Sequence, residues 1–234
     1  MRHSHYIIGL GEVGLALKKV LGCEGFDIAQ SLDFSKIPEV DFLHICFPYT
    51  DDFAACVRSY QGRCRPLFTI IHSTVPISTC DYLNAHSSPV RGRHPKLAES
   101  LKTFVKYVGG PHAETIVSEL QKFGIPAVSH HDSRSIEAGK LIDLMQFGAS
   151  ILLEKEIHQF CQDQGLDFNT VYRDFNRTYN SGYSKLHEYQ FIRPMLEHIP
   201  GPIGGHCIVE NMQHLDIETA RRIAEFSAVT NGNP

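Results

Sequence analysis

Along the first half of the chain, short apolar runs alternate with stretches whose apolar residues recur at three- and four-residue steps. YIIGL (residues 6–10) is the first run, and the following GEVGLALKKVL carries Val13, Leu17, Val20 and Leu21 at helical spacing. FDIAQ (26–30) predicts a second strand. DFLHICFP (41–48) and PLFTIIHSTVP (66–76) are β-rich and stop at proline. FVKYVGG (104–110) and IPAVSH (125–130) predict two further strands, flanking the amphipathic HAETIVSELQKFG (112–124). Strand and helix in this rhythm predict a parallel sheet covered by helices.

Near Ser133 the pattern changes. From there to Gly165 no proline interrupts the chain, and Ile136, Leu141, Leu144, Met145, Gly148, Ile151, Leu152 and Ile157 fall largely at helical steps. One long helix is expected, capped by Ser133 or Ser135 and ended by Gly165. DFNTVYRDFNRT (167–178) predicts a shorter helix, residues 179–211 predict a loop-rich stretch, and LDIETARRIAEFSAV (215–229) a final amphipathic helix. A boundary is expected near residue 132, with a sheet domain over 1–132 and an all-helical domain over 133–234.

Composition narrows the function classes. The chain has 234 residues, 42% of them hydrophobic, enough to bury a substantial core. A formal charge of −4 gives no basic footprint for nucleic acid. No apolar run approaches the roughly 18 residues of a membrane span. The N-terminus has no apolar signal core, which predicts a cytoplasmic protein. Seven scattered cysteines without a C-x-x-C pair predict reduced thiols rather than a disulfide framework. The fourteen histidines lack metal-site spacing, so no metal is expected and the histidines are assigned to the surface.

Gly9-Leu-Gly11-Glu12-Val13-Gly14 matches G-x-G-x-x-G directly after a predicted strand and at the start of a predicted helix. The first glycine permits a tight turn, the second lets backbone approach a pyrophosphate, and the third allows close helix–strand packing. The expected class is therefore α/β, a Rossmann-like parallel sheet followed by an all-helical domain with one long central helix. The expected cofactor is NAD or NADP. Asp33 is the candidate for the adenosine ribose, with Asp27 also at a suitable distance. S-adenosylmethionine, in a transferase on the same fold, and a non-catalytic dinucleotide-binding protein are the alternatives.

Several segments, in order, resemble the nucleotide-sugar 6-dehydrogenases, the family of UDP-glucose, GDP-mannose and UDP-N-acetylmannosamine dehydrogenases. ICFPYTDD (45–52) resembles that family's strand ending in Pro-Thr, and HSTVPIST (72–79) its Ser-Thr-Val-Pro segment. KYVGG (106–110) resembles its last sheet strand, EAGKLID (137–143) the start of its central helix, and GPIGGHCI (201–208) its catalytic cysteine loop. The resemblance implies a four-electron oxidation of a sugar C6 alcohol. Hydride leaves to NAD, Cys207 captures the aldehyde as a thiohemiacetal, and a second hydride leaves a thioester that water cleaves. Lys140 would stabilise the developing oxyanion and Thr74 would position water or substrate, while Pro48 and Ser73 would line the cofactor site.

Three departures accompany the match. Leu144 stands where the family has an asparagine one turn after the lysine, and Asn211 stands where it has an acid, with Glu210 alongside. The sequence runs 27 residues past Cys207, which predicts a shortened member without the family's C-terminal nucleotide-sugar-binding domain. A small polar substrate would then be held by Arg91 and Arg93 of RGRHPK (91–96), by Tyr183 and Arg193, and by His206 beside the cysteine. The resemblance also implies a homodimer formed through the central helices.

Overall fold

The computed structural model of the protein describes residues 3–27, 29, 37–92, 95–204 and 206–231. The chain forms two compact units, Met1–Lys140 and Leu141–Pro234.

Among the described residues the first unit holds seven strands: β1 (His5–Ile8), β2 (Glu24–Phe26), β3 (Phe42–Ile45), β4 (Phe68–Ile71), β5 (His86–Ser87), β6 (Lys106–Gly109) and β7 (Ala127–His130). They lie in the order β2-β1-β3-β4-β5-β6-β7, and every pairing is parallel except β5 with β6. The sheet predicted from the apolar rhythm is therefore present, with one antiparallel step. Between the strands run α1 (Glu12–Leu21), α2 (Phe53–Cys64), α3 (Thr79–Tyr82), α4 (Leu97–Thr103) and α5 (Ala113–Gln121).

Strand residues alternate between two cores, because successive side chains leave opposite faces of a sheet. Tyr6, Ile8, Leu43, Ile45 and Ile71 pack with α2 residues Phe53, Val57 and Tyr60. Ile7, Phe42, Ile70 and Val108 pack with Leu17, Leu101, Ile116 and Leu120 from α1, α4 and α5. Such two-sided burial explains the nearly unbroken apolar runs of the sequence.

The second strand differs from expectation. It begins at Glu24 and ends at Phe26, because the Asp27 carboxylate turns the chain by accepting the Leu10 and Ala29 N–H groups. The short β5, α3 and α4 have no clear signature in the pattern.

The long helix is α6 (Ser133–Gln164), about 48 Å at 1.5 Å per residue. Its cap is neither Ser133 nor Ser135. Asp132 accepts the N–H groups of Arg134 (2.9 Å) and Ser135 (3.1 Å), while the buried Ser133 hydroxyl donates to the Gly109 carbonyl. A carboxylate satisfies two orphan donors and complements the helix dipole, which the flanking serines do less well. At the other end Gly165 (φ +64°) takes the left-handed turn. Leu166 N–H bonds back to Cys161 and Gly165 N–H to Gln162, a Schellman stop.

In the second unit, a six-residue π-helical turn (Asn169–Asp174) leads into α7 (Phe175–Lys185), which runs seven residues beyond the predicted end at 178. After a single 3-10 turn (Tyr189–Phe191) come α8 (His206–Met212) and α9 (Glu218–Asn231). Residues 179–211, predicted as loop-rich, are therefore partly helical. Leu141, Leu152, Ile203, Ile208, Met212, Leu215, Ala220 and Ile223 form the core of this unit.

Candidate dinucleotide and catalytic residues

The glycine motif occupies the turn from β1 into α1, and each glycine has a distinct physical reason. Gly9 adopts φ +91°, and a Cβ there would sit 2.8 Å from the Phe47 nitrogen. A Cβ on Gly14 would sit 1.8 Å from the Gly9 carbonyl oxygen. Both are closed by backbone. Gly11, in contrast, faces open space, with no atom within 4 Å of its would-be Cβ, and it is the N-cap of α1 without a side-chain cap. A helix N-terminus with an approach cleared of side chain is suited to an anionic group such as a pyrophosphate.

The turn lies where the strand order reverses, with β2 on one side of β1 and β3 on the other. In doubly wound sheets this crevice at the carboxyl ends of the strands is the ligand site. Pro48 is exposed just beyond β3, and the half-buried Ser73 ties the neighbouring segment down by donating from Oγ to the Phe47 carbonyl. Glu12 is exposed and Val13 half-buried in the first turn of α1. The structure thus brings Gly9, Gly11, Glu12, Val13, Gly14, Pro48 and Ser73 to the same edge of the sheet. Asp33 and Arg93 lie outside the described residues, as does the side chain of His206. Asp27 directly follows β2, the position from which an acid reaches a ribose, and it accepts the Leu10 N–H of the glycine turn at 2.6 Å.

Thr74 is half-buried beyond β4, between Ser73 and the buried Val75. Lys140, half-buried on α6, closes the first unit. Three residues earlier the buried Glu137 carboxylate accepts the N–H groups of Ser78 (2.6 Å) and Cys80 (2.8 Å). Burial, the strongest influence, pushes the Glu137 carboxyl above its ordinary value. Glu137 therefore anchors the turn after the Ser-Thr-Val-Pro segment to the helix that bears Lys140, a structural role the motif alone did not disclose. Arg91 lies over two rings, 5.9 Å from Phe104 and 6.0 Å from Tyr107.

In the second unit Cys207 is exposed and sits in α8, at its second residue, rather than on a loop. Asn211, one turn later, donates its side-chain amide to the Cys207 carbonyl at 2.8 Å. Leu144 packs against the apolar core of this unit, so an apolar residue there serves packing. The Arg193 guanidinium stacks on Tyr179 at 3.7 Å, and Tyr179 packs against Tyr183 at 4.7 Å. Tyr183 and Arg193 are thereby brought together around one ring.

The histidine assignment needs correction. His44, His72 and His86 are buried in the sheet unit, not on its surface. The runs around His44 and His72 signal strands buried on both faces, but a lone histidine in such a run does not disclose its partners, and His86 lies in β5, which has no signature in the pattern.

No protein-family model matches the sequence, and no curated protein is similar to it at a significant level. Solved structures do resemble it. A UDP-D-ManNAc dehydrogenase from Pyrococcus horikoshii superposes with a TM-score of 0.77 at 14% identity, over 97% of this chain and 68% of that one. The fold is that of known dehydrogenases. A 3-hydroxyisobutyrate dehydrogenase from Mycobacterium tuberculosis gives 0.70 at 14% identity, covering 98% of this chain and 94% of that chain. A UDP-glucose dehydrogenase from Pyrobaculum islandicum gives 0.67 at 16% identity, covering 97% and 68%. Among the described residues, no helix is long and apolar enough to cross a membrane.

Proposed function

We propose that this chain is an NAD(P)-dependent oxidoreductase that oxidises an alcohol on a sugar or another small polar substrate. The observation that carries the reading is the division of labour in the glycine turn, where Gly9 and Gly14 are closed by backbone while Gly11 is open at the N-cap of α1. A bound nicotinamide dinucleotide would supply the hydride acceptor. The residues of this chain would do the rest. The first-turn N–H groups of α1 would face the pyrophosphate, Asp27 would hold the turn in shape, and Pro48 and Ser73 would line the cofactor. Lys140 would stabilise negative charge on the reacting oxygen, with Thr74 orienting water or substrate. Arg91, Arg93, Tyr183, Arg193 and His206 are the proposed substrate contacts, and Cys207 the nucleophile of a second oxidation step.

A second reading keeps the first hydride transfer and leaves Cys207 out of the chemistry. It is favoured by Leu144 packed in a core and by Asn211 bonded to the Cys207 carbonyl rather than offering an acid. The hydroxyisobutyrate dehydrogenase structure, matched over nearly its whole length, fits that simpler chemistry.

The test begins with calorimetry against NADH, NADPH and S-adenosylmethionine. Gly11→Asp is the decisive variant: an aspartate at a vacant N-cap supports the helix, yet its bulk and charge occupy the pyrophosphate approach. The expected outcome is an unchanged or raised Tm with nicotinamide binding weakened by at least about tenfold, or roughly 1.4 kcal/mol. If wild-type protein binds neither NADH nor NADPH, the reading fails. With a turnover substrate, two NADH per alcohol and their reduction to one in Cys207→Ser support the two-step form. One NADH from both proteins supports the single transfer.

A further inference from the structure

A line of imidazoles crosses the sheet face that is covered by α1, α4 and α5. His5 opens β1, His44 is the third residue of β3, and His72 follows β4. His5 Nδ1 is 3.0 Å from His44 Nε2, and His44 Nδ1 is 2.9 Å from His72 Nε2. At one end His72 Nδ1 lies 2.9 Å from the Ser88 carbonyl oxygen. At the other, His5 Nε2 lies 3.4 Å from Glu119 Oε1 on α5, the longest of the four contacts. Neighbouring rings stay within 16° and 22° of each other's planes. Phe42 stacks on His5 at 4.9 Å, and Phe123 meets it edge-on at 5.2 Å.

Counting hydrogens gives an imbalance. Each of the four contacts joins two atoms that both accept unless one carries a hydrogen. The Ser88 carbonyl brings none. Glu119 brings none either: burial pushes its carboxyl up, but hydrogen bonds from Lys122, His3 and His5 outweigh this and hold it at about 2. Three neutral imidazoles carry three N–H hydrogens for four contacts. One hydrogen is missing.

We propose that the His5–His44–His72 line is a buried one-proton binding site, complete only when a fourth hydrogen sits on His5 against Glu119. His5 is the only ring of the three in contact with the carboxylate. Burial first keeps His44 and His72 neutral, and a second charge is opposed by His5 and Lys106 at His44 and by Lys106 and His44 at His72. Around His5, burial and His3 oppose protonation while Glu119 and Asp41 favour it, and burial prevails. Uptake of the fourth hydrogen therefore requires more acid than an ordinary imidazole needs.

Release of that hydrogen leaves one of the four contacts without a hydrogen. An inner contact holds at most one, so the vacancy lies at Glu119, between His5 and His44, between His44 and His72, or at Ser88. With the fourth hydrogen in place on His5, His44 and His72 must both carry theirs on Nδ1, pointing toward Ser88, whose carbonyl also accepts Lys106 Nζ at 2.6 Å. Protonation at the start of β1 therefore fixes the tautomers of two rings across the sheet.

The test uses the full chain labelled with ¹⁵N-histidine and long-range proton–nitrogen correlation spectra over a pH series. His44 and His72 are expected to stay neutral throughout, and both to carry their hydrogen on Nδ1 once His5 has gained its second N–H on acidification. An Nε2-protonated His44 or His72 in that acid state, or a His5 that stays singly protonated while the fold persists in acid, would overturn the proposal. Glu119→Gln sharpens it, because the amide N–H supplies the missing hydrogen and its oxygen still accepts from His3 and Lys122. The titrating proton on His5 should then be lost; its retention in a folded Glu119→Gln protein counts against the one-hydrogen count. Where that variant does not fold, the wild-type spectra decide alone.

Discussion

Lys106 opens β6 with its amine inside the sheet unit, only 4% exposed, where Nζ donates to the carbonyls of Ser88 (2.6 Å) and Pro89 (3.2 Å). Burial lowers it to about 7, with Cys46 opposing the shift and Lys140 adding to it. The folded pKa lies below the lysine's ordinary value, so between the two the unfolded chain holds more protons and stability rises with pH. Below about 7 the amine is charged in both states and the full cost of burying it is present. Stability relative to Lys106→Met should therefore climb by up to about 1.4 kcal/mol per pH unit above neutrality. Denaturant midpoints at several pH values check this, and parallel curves for the two proteins would refute it. At the glycine turn, Gly14→Ala should destabilise the protein while Gly11→Asp should not, because only the first Cβ meets backbone. The glycine turn was legible because its three requirements are local. Lys106, His5 and His44 were not, since an isolated Lys or His in an apolar run does not disclose which partners lie across the sheet.

Among elements, α6 carries the most separate tasks. Its first residue, Ser133, ties it to β6 by donating to the Gly109 carbonyl, and one turn later Glu137 accepts the Ser78 and Cys80 N–H groups. Farther along, the buried Lys155 donates to the carbonyls of Ile199 (2.6 Å) and Gly201 (2.7 Å). Ser227 of α9 donates to Ile203, so alternate carbonyls of the segment entering α8 are fixed by side chains of two helices. Lys155→Met should free that segment, destabilising the protein by roughly 1–3 kcal/mol for the two hydrogen bonds lost. Faster amide exchange through residues 201–208 measures it, and unchanged protection there would show that the lysine is not the clamp. The 3.6-residue period and Gly165 made the helix and its end visible in the sequence. The role of Lys155 was hidden, because its acceptors are backbone atoms more than forty residues away.

For the whole molecule, the cores of the two units are each formed from their own residues. On α6, Leu153 and Phe160 remain 57% and 54% exposed, seven residues apart and so on one face of the helix. Exposed apolar residues repeated at that spacing are the pattern of a helix–helix seam. A homodimer is therefore expected in sedimentation at micromolar concentration, and Leu153→Glu with Phe160→Glu should shift it to monomer. A wild-type monomer would contradict the expectation.

The sequence by itself determined what depends on near neighbours in the chain: the strand–helix rhythm, the glycine turn, and the long helix with its glycine stop. Period and backbone conformation are local properties, written where they act. Only the tertiary structure decided that Asp132 rather than a serine caps α6, that Cys207 belongs to a helix, and that histidines assigned to the surface are buried. Those outcomes depend on which groups compete for the same hydrogen bonds and the same dry interior, a competition between residues distant in the chain.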